Sequence, residues 1–157
     1  MKLFIDGSLG AGTAFLRSPY RDREGSGIPT MTRSDISDMV NTAECHSCQV
    51  VAHCIGDGAV ELMLDIYDSV ISENRNRHGI LHCQLTDRAL LERMKNRDIL
   101  VFVQPVFIDY DMDIVSTRVG ERLASESYAF GDMVCMGIRT SYGTDAPVED
   151  MNPFENI

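Results

Sequence analysis

Four polar residues that can carry chemistry stand where apolar runs of this chain end: His53, His82, Gln104 and Asp145. His53 closes the run Gln49 to Ile55 and His82 the run Gly79 to Cys83. Gln104 directly follows Ile99 to Val103, and Asp145 follows the weaker run Arg139 to Tyr142. In a parallel βα architecture such ends lie on one face and converge. Two imidazoles and a carboxylate are suitable ligands for zinc or a similar divalent ion. A carboxylate outside the ligand set could instead take the proton of the attacking water. The residue types leave a second reading open, because a lone buried His at a strand end is more often a hydrogen-bonded core group than a ligand.

Other motifs carry less. Cys45-His46-Ser47-Cys48 has the spacing of a metal or redox site, but no second cysteine pair accompanies it. Gly7-Ser8-Leu9-Gly10-Ala11-Gly12 lacks both the Lys-Ser/Thr ending of a phosphate loop and the dinucleotide spacing. Ser8 and Ser141 have no base near them in sequence, which weakens a serine-hydrolase reading. His78, beside Arg77, reads as a solvated lead-in to a strand.

The elements that must position these residues follow from pattern. Strands are expected over 2–6, 49–55, 79–83, 99–103 and 139–142. Their runs are continuously apolar more than alternating, as in strands buried on both faces of a parallel sheet. Between them, Val60, Met63, Leu64, Tyr67 and Ile71 form one helical stripe. Thr86 is expected to cap a helix through Leu90, Leu91 and Met94, and Thr32 one through Ile36, Met39 and Val40. One or two further helices are expected in 117–136. Strand and helix alternate with short connections, the pattern of βαβ units. The stretch 7–29 is rich in Gly, Ser and Arg, and reads as a long loop of the kind that forms lids or is disordered.

Composition bounds the rest. The 157 residues suffice for one sizeable core and point to a single domain. Asp and Glu outnumber Lys and Arg by 24 to 14, a formal charge of −10. Phosphate contacts need clustered cations, so nucleic acid and anionic membranes are poor partners. No apolar run approaches the ~20 residues of a membrane helix. The residues from Met1 to Gly7 show no signal-peptide pattern, and the five scattered cysteines suggest reduced thiols, so the expected location is cytoplasmic.

Taken together, five segments resemble motifs of one family. They are Lys2-Leu3-Phe4-Ile5-Asp6-Gly7-Ser8-Leu9-Gly10, His53-Cys54-Ile55-Gly56-Asp57, Arg77-His78-Gly79-Ile80-Leu81-His82-Cys83-Gln84, Val103-Gln104-Pro105 and Gly143-Thr144-Asp145-Ala146-Pro147-Val148. In that order they resemble the amidohydrolase superfamily, in the branch that includes N-substituted formamide deformylases. The resemblance implies an α/β fold that is part of a (β/α)8 TIM-type barrel, from the fourth to the eighth strand. It implies hydrolysis of amide or cyclic C–N bonds of a small-molecule substrate through a metal-activated water. His53 and His82 would be metal ligands, and Asp145 both a ligand and the proton-handling group. Lys2 matches a Lys that can be carboxylated to bridge two metals; the Asp6-Gly7-Ser8-Leu9-Gly10 loop and Gln104 resemble substrate-side elements, with Ser8 and Gln104 as the substrate-binding residues. Arg118, Arg122 and Tyr128 match an Arg-rich segment to which no chemistry is assigned.

Two departures bear on activity. The family's first strand carries a His-x-His pair, whereas the four histidines here are at positions 46, 53, 78 and 82. A complete barrel takes ~250 residues. Residues 1–157 are therefore expected to be a single barrel segment truncated at both ends, inactive alone, and prone to self-association through its open edges. Two other readings remain: a non-catalytic binding or regulatory module of the same descent, and an unrelated doubly wound α/β protein.

Overall fold

The computed structural model describes residues 1–156. Five short strands form one parallel sheet: β1 (Lys2–Phe4), β2 (Val51–Cys54), β3 (Gly79–His82), β4 (Leu100–Val103) and β5 (Thr140–Tyr142). Their order across the sheet is their order in the chain. A doubly wound sheet reverses direction at a switch point, so that alternative is set aside.

Helices cover one face only. α1 (Arg33–Cys45), α2 (Asp57–Val70), α3 (Arg88–Asn96) and the later α7 (Phe130–Cys135) share one core with Leu3, Ile5, Ala52, Cys54, Ile80, Val101 and Val103. The opposite face carries Phe4, His53, Leu81 and Phe102 in register, and all four keep solvent exposure. The expectation of strands buried on both faces is thus corrected: the continuous apolar pattern fills one face with core and leaves the other half-covered.

Local chemistry explains the helix ends. Thr32 Oγ1 accepts from Asp35 N and starts α1, whose Ile36, Val40 and Ala43 face the core. The cap of α3 is Asp87, not Thr86: Asp87 Oδ1 accepts from Leu90 N at 2.9 Å, while Thr86 is fully buried. Arg93 and Lys95 lie in the last turn of α3, where cations suit the helix dipole. The segment before β5 is more broken than expected. It comprises a 3₁₀ turn (Pro105–Phe107), α4 (Ile108–Asp111), α5 (Val115–Val119), α6 (Glu121–Ser125) and α7. Gly120, at φ 81°, breaks α5 from α6 in a conformation that suits a residue without Cβ.

The 7–29 loop is packed rather than disordered. Leu9, Ala14, Leu16 and Tyr20 form a second core with Ile55, Leu85, Val115 and Leu123. Arg17 reaches Asp57 at 2.8 Å and Asp87 at 2.6 Å, joining the loop to the starts of α2 and α3. Arg118 holds it from the other side through Asp22 at 2.6 Å and the Gly10 carbonyl at 2.8 Å. Gly56 permits the close approach of the loop backbone, since a Cβ there would lie 2.0 Å from the Phe15 carbonyl oxygen. No helix among the described residues is long and apolar enough to cross a membrane.

His78 is fully buried, which corrects its reading as a solvated lead-in. Its Nδ1 accepts from Val50 N at 2.8 Å, and Nε2 lies 2.5 Å from Glu44 Oε1. An accepting Nδ1 leaves the hydrogen on Nε2, which donates to the carboxylate. Burial opposes ionisation of Glu44, but the bonds from His78 and Asn76 outweigh it and hold the carboxyl below its ordinary value. Asp68, bonded to Arg93 and Arg97, and Asp87, bonded to Arg17, are likewise lowered against the opposing effect of burial. A depressed carboxylate pKa stabilises the fold above the unfolded value, and that stability is lost as pH falls through the folded one. Thermal melts should therefore show stability declining below about pH 4, with a shallower decline in Asp68→Asn. An unchanged slope in that variant would remove Asp68 from the account.

Candidate metal centre

Pleat alone would separate the two strand-end histidines. His53 pairs with Leu81, and His82 pairs with Cys54, whose side chain lies in the helix-side core. Yet the imidazoles meet edge to face, with ring centroids 4.5 Å apart. Backbone conformation accounts for this. His82 and Cys83 both have left-handed φ, at 71° and 52°, which ends β3 in a sharp turn. Asp145 is also left-handed, at φ 56°. Such residues cost about 1–3 kcal/mol each and cluster at functional sites.

The turn brings His82 Nε2 to 3.9 Å from Asp145 Oδ2. Burial, and then the neighbouring His53, push the His82 pKa down to about 4, so its imidazole is neutral at pH 7. A neutral imidazole is the form that ligates metals. His82 Nδ1 is buried and without a hydrogen-bond partner, as is Gln104 Oε1. Gln104 approaches His82 closely enough to favour the protonated imidazole. Phe107 stacks against His82 at 6.1 Å.

Below the histidines, on the open face of the sheet, lies a cleft of about 330 Å³ lined in part by Val51, Leu81, Phe102, Gln104, Ser141 and Asp145. Gln104 and Asp145 therefore share one cleft. Lys2 lies on the same face but is paired with Val51, two residues short of His53, and its Nζ sits 4.7 Å over the Phe4 ring. Ser8 is exposed, and its hydroxyl accepts from Ala11 N at 3.3 Å within its own turn. The larger cavity between α3 and α7, about 630 Å³, contains neither strand-end histidine.

The contacts of Asp6, within the loop that resembles a substrate-side element, and the role of Asp111 escaped the sequence reading. Asp6 is buried and accepts from Phe15, Ile55 and Gly56, with Oδ1 3.5 Å from His53 Nε2. Burial raises its pKa, against those bonds and the attraction of His53. Asp111 receives Gln84 Nε2 at 2.6 Å and the Tyr128 hydroxyl at 2.5 Å, tying the end of β3 to the segment that bears Phe107. Only the Asp6-Gly7 pair at a strand end hinted at the first, and no periodic signal marks the second.

Among the described residues, no three His, Cys, Asp or Glu side chains converge tightly enough to enclose an ion. The donor set still fits a divalent ion in kind. His82 neighbours both His53 and Asp145, and it is neutral with a buried, unpartnered nitrogen.

The model of the amidohydrolase family matches residues 1–157. The chain belongs to the amidohydrolase family. Two curated relatives extend the likeness. YtcJ of Bacillus subtilis (strain 168) is 30% identical over 158 residues, covering 100% of this chain and 30% of that protein. LONG AFTER FAR-RED 3 of Arabidopsis thaliana is 34% identical over 162 residues, covering 100% of this chain and 28% of that protein. This amidohydrolase-family chain thus spans about 30% of the length of these relatives. Among solved structures, it superposes on an uncharacterized metal-dependent hydrolase from Pyrococcus horikoshii OT3 with TM-score 0.89 and 35% identity, covering 99% of this chain and 31% of that one. A second, from Pyrococcus furiosus, gives TM-score 0.87 and 34% identity, over 98% and 32%. The likeness to Aspergillus niger ochratoxinase, at 16% identity and TM-score 0.59, bears on the fold alone.

Proposed function

We propose that these residues form the fourth to eighth strands of a (β/α)8 barrel, in a metal-dependent hydrolase that cleaves amide or cyclic-amide C–N bonds of a small molecule. The observation that carries this reading is the placement of His53, His82 and Asp145 at the C-terminal ends of β2, β3 and β5, with His82 beside each of the other two. The likeness to two metal-dependent hydrolases supports it. The unbroken strand order, with helices on one face, supports the barrel.

His53, His82 and Asp145 would hold the ion, zinc by its ligand types, with carboxylated Lys2 as a further candidate ligand. A bound divalent ion supplies a water acidified to pKa ~7 and polarises the scissile carbonyl. Asp145 accepts the proton of the attacking water and returns it to the leaving nitrogen. Gln104 binds substrate from the cleft wall, and Ser8 from the loop above β1. The five free cysteines suit the reducing cytoplasm.

This chain has no His-x-His pair, and its five strands cannot close an eight-stranded barrel around the rim. The 157 residues by themselves are therefore inactive and self-associate through the open face, where Phe4 is 53% exposed. The test combines cobalt titration followed by visible absorption, a panel of N-formyl and N-acyl amines, and sedimentation. The expected results are ion binding that is lost in His53→Ala, no turnover, and a species larger than a monomer. Absence of any cobalt binding would sink the metal centre. Turnover, or a compact monomer at micromolar concentration, would overturn the corresponding part.

A further inference from the structure

We propose that Asp6 and Gly7 act as one positioning element that holds His53 in a single tautomer, with the hydrogen on Nε2 and the lone pair on Nδ1. His53 Nε2 lies 2.9 Å from the Gly7 carbonyl oxygen. A carbonyl only accepts, so Nε2 must donate. The second group near the same nitrogen is also an acceptor, Asp6 Oδ1 at 3.5 Å. The other tautomer would turn a lone pair toward two oxygens.

The same carboxylate fixes the backbone that carries the ring. Asp6 Oδ1 accepts from Ile55 N at 3.0 Å, and Oδ2 from Gly56 N at 2.8 Å. Both donors lie within three residues of His53. Oδ2 also accepts from Phe15 N at 2.9 Å, which anchors the 7–29 loop to the same point. Ring orientation, strand end and loop are thus tied to one carboxylate whose side chain is wholly buried. Nδ1 is left as the nitrogen that can meet a Lewis acid. Outer partners of this kind typically govern which ring nitrogen binds a metal.

The identity of the ion at Nδ1 rests on the metal reading above; the tautomer does not. The test is long-range ¹H–¹⁵N correlation on ¹⁵N-histidine-labelled, metal-free protein, on the alkaline side of neutrality where imidazole is neutral. The expected spectrum assigns His53 as the Nε2–H tautomer. Asp6→Asn should give a mixture of tautomers and lower zinc affinity by calorimetry about tenfold or more. An Nδ1–H tautomer in the unaltered protein overturns the proposal without recourse to any variant, and so does an unchanged spectrum in folded Asp6→Asn. An Nε2–H spectrum in a protein that binds no zinc supports the positioning element and overturns the metal centre instead.

Discussion

His82→Asn is expected to lower zinc or cobalt affinity at least about a hundredfold, while leaving the ion-free protein as stable as its parent or more so. The two halves have separate causes. The imidazole supplies one of only two strand-end ring ligands on this chain, so its loss removes a donor that no neighbouring group replaces. In the ion-free protein the same imidazole is a liability. It is nearly buried, its Nδ1 has no partner, and burial together with His53 disfavours its charged form. Its backbone sits at φ 71°, where Asn is tolerated far better than most residues. The ring's unpartnered nitrogen costs about 1–3 kcal/mol; the shorter Asn amide, which bonds nearby backbone in this conformation, avoids that cost and offsets the packing lost with the ring. Calorimetric titration and thermal melting read the two effects separately. A variant that binds zinc as before, or that loses more than about 1 kcal/mol of ion-free stability, would show that His82 is a structural histidine.

Tyr67 is the opposite kind of residue, and its loss should be the most damaging in the core. It is fully buried on α2, its hydroxyl donates to the Gly79 carbonyl at 3.0 Å, and its ring stacks on His78 at 5.5 Å. The stack continues through His78 to Glu44 on α1 and Val50 before β2. Tyr67→Ala removes a large aromatic ring and leaves a cavity, at a cost of about 3–5 kcal/mol. A domain with about 5–15 kcal/mol in total would be left close to unfolding. Tyr67→Phe keeps the ring and takes only the donor, so about 1–3 kcal/mol is expected. Urea denaturation separates these values. Equal losses in the two variants would mean that the hydroxyl, not the packing, carries the energy.

Much of this was legible in the chain. The five strands, the helices α1, α2 and α3, and the strand-end placement of His53, His82, Gln104 and Asp145 follow from apolar runs and turn residues, because both act locally. The cap of α3 was misplaced by one residue, since Thr86 and Asp87 are both competent caps and burial chose between them. His78 looked solvated because Arg77 precedes it. Its partners, Glu44 and Val50, are 34 and 28 residues away, and no local pattern announces them. The 7–29 loop reads as a lid or a disordered segment for the same reason: Asp57, Asp87 and Arg118, which hold it, are remote in sequence.

By itself the sequence determined the strand ends, the alternation that makes the sheet parallel, and the donor types gathered at its rim. Tertiary structure decided which of those donors meet. Strand pleat would have kept His82 on the side of Cys54; a left-handed turn held by the packed core brings it to His53 and Asp145. It also decided which oxygens surround His53 Nε2, since Asp6 and Gly7 are 47 and 46 residues away and only the pairing of β1 with β2 brings them there. Ligand type is a property of single residues, whereas orientation and tautomer belong to groups that share a place only after the chain has folded.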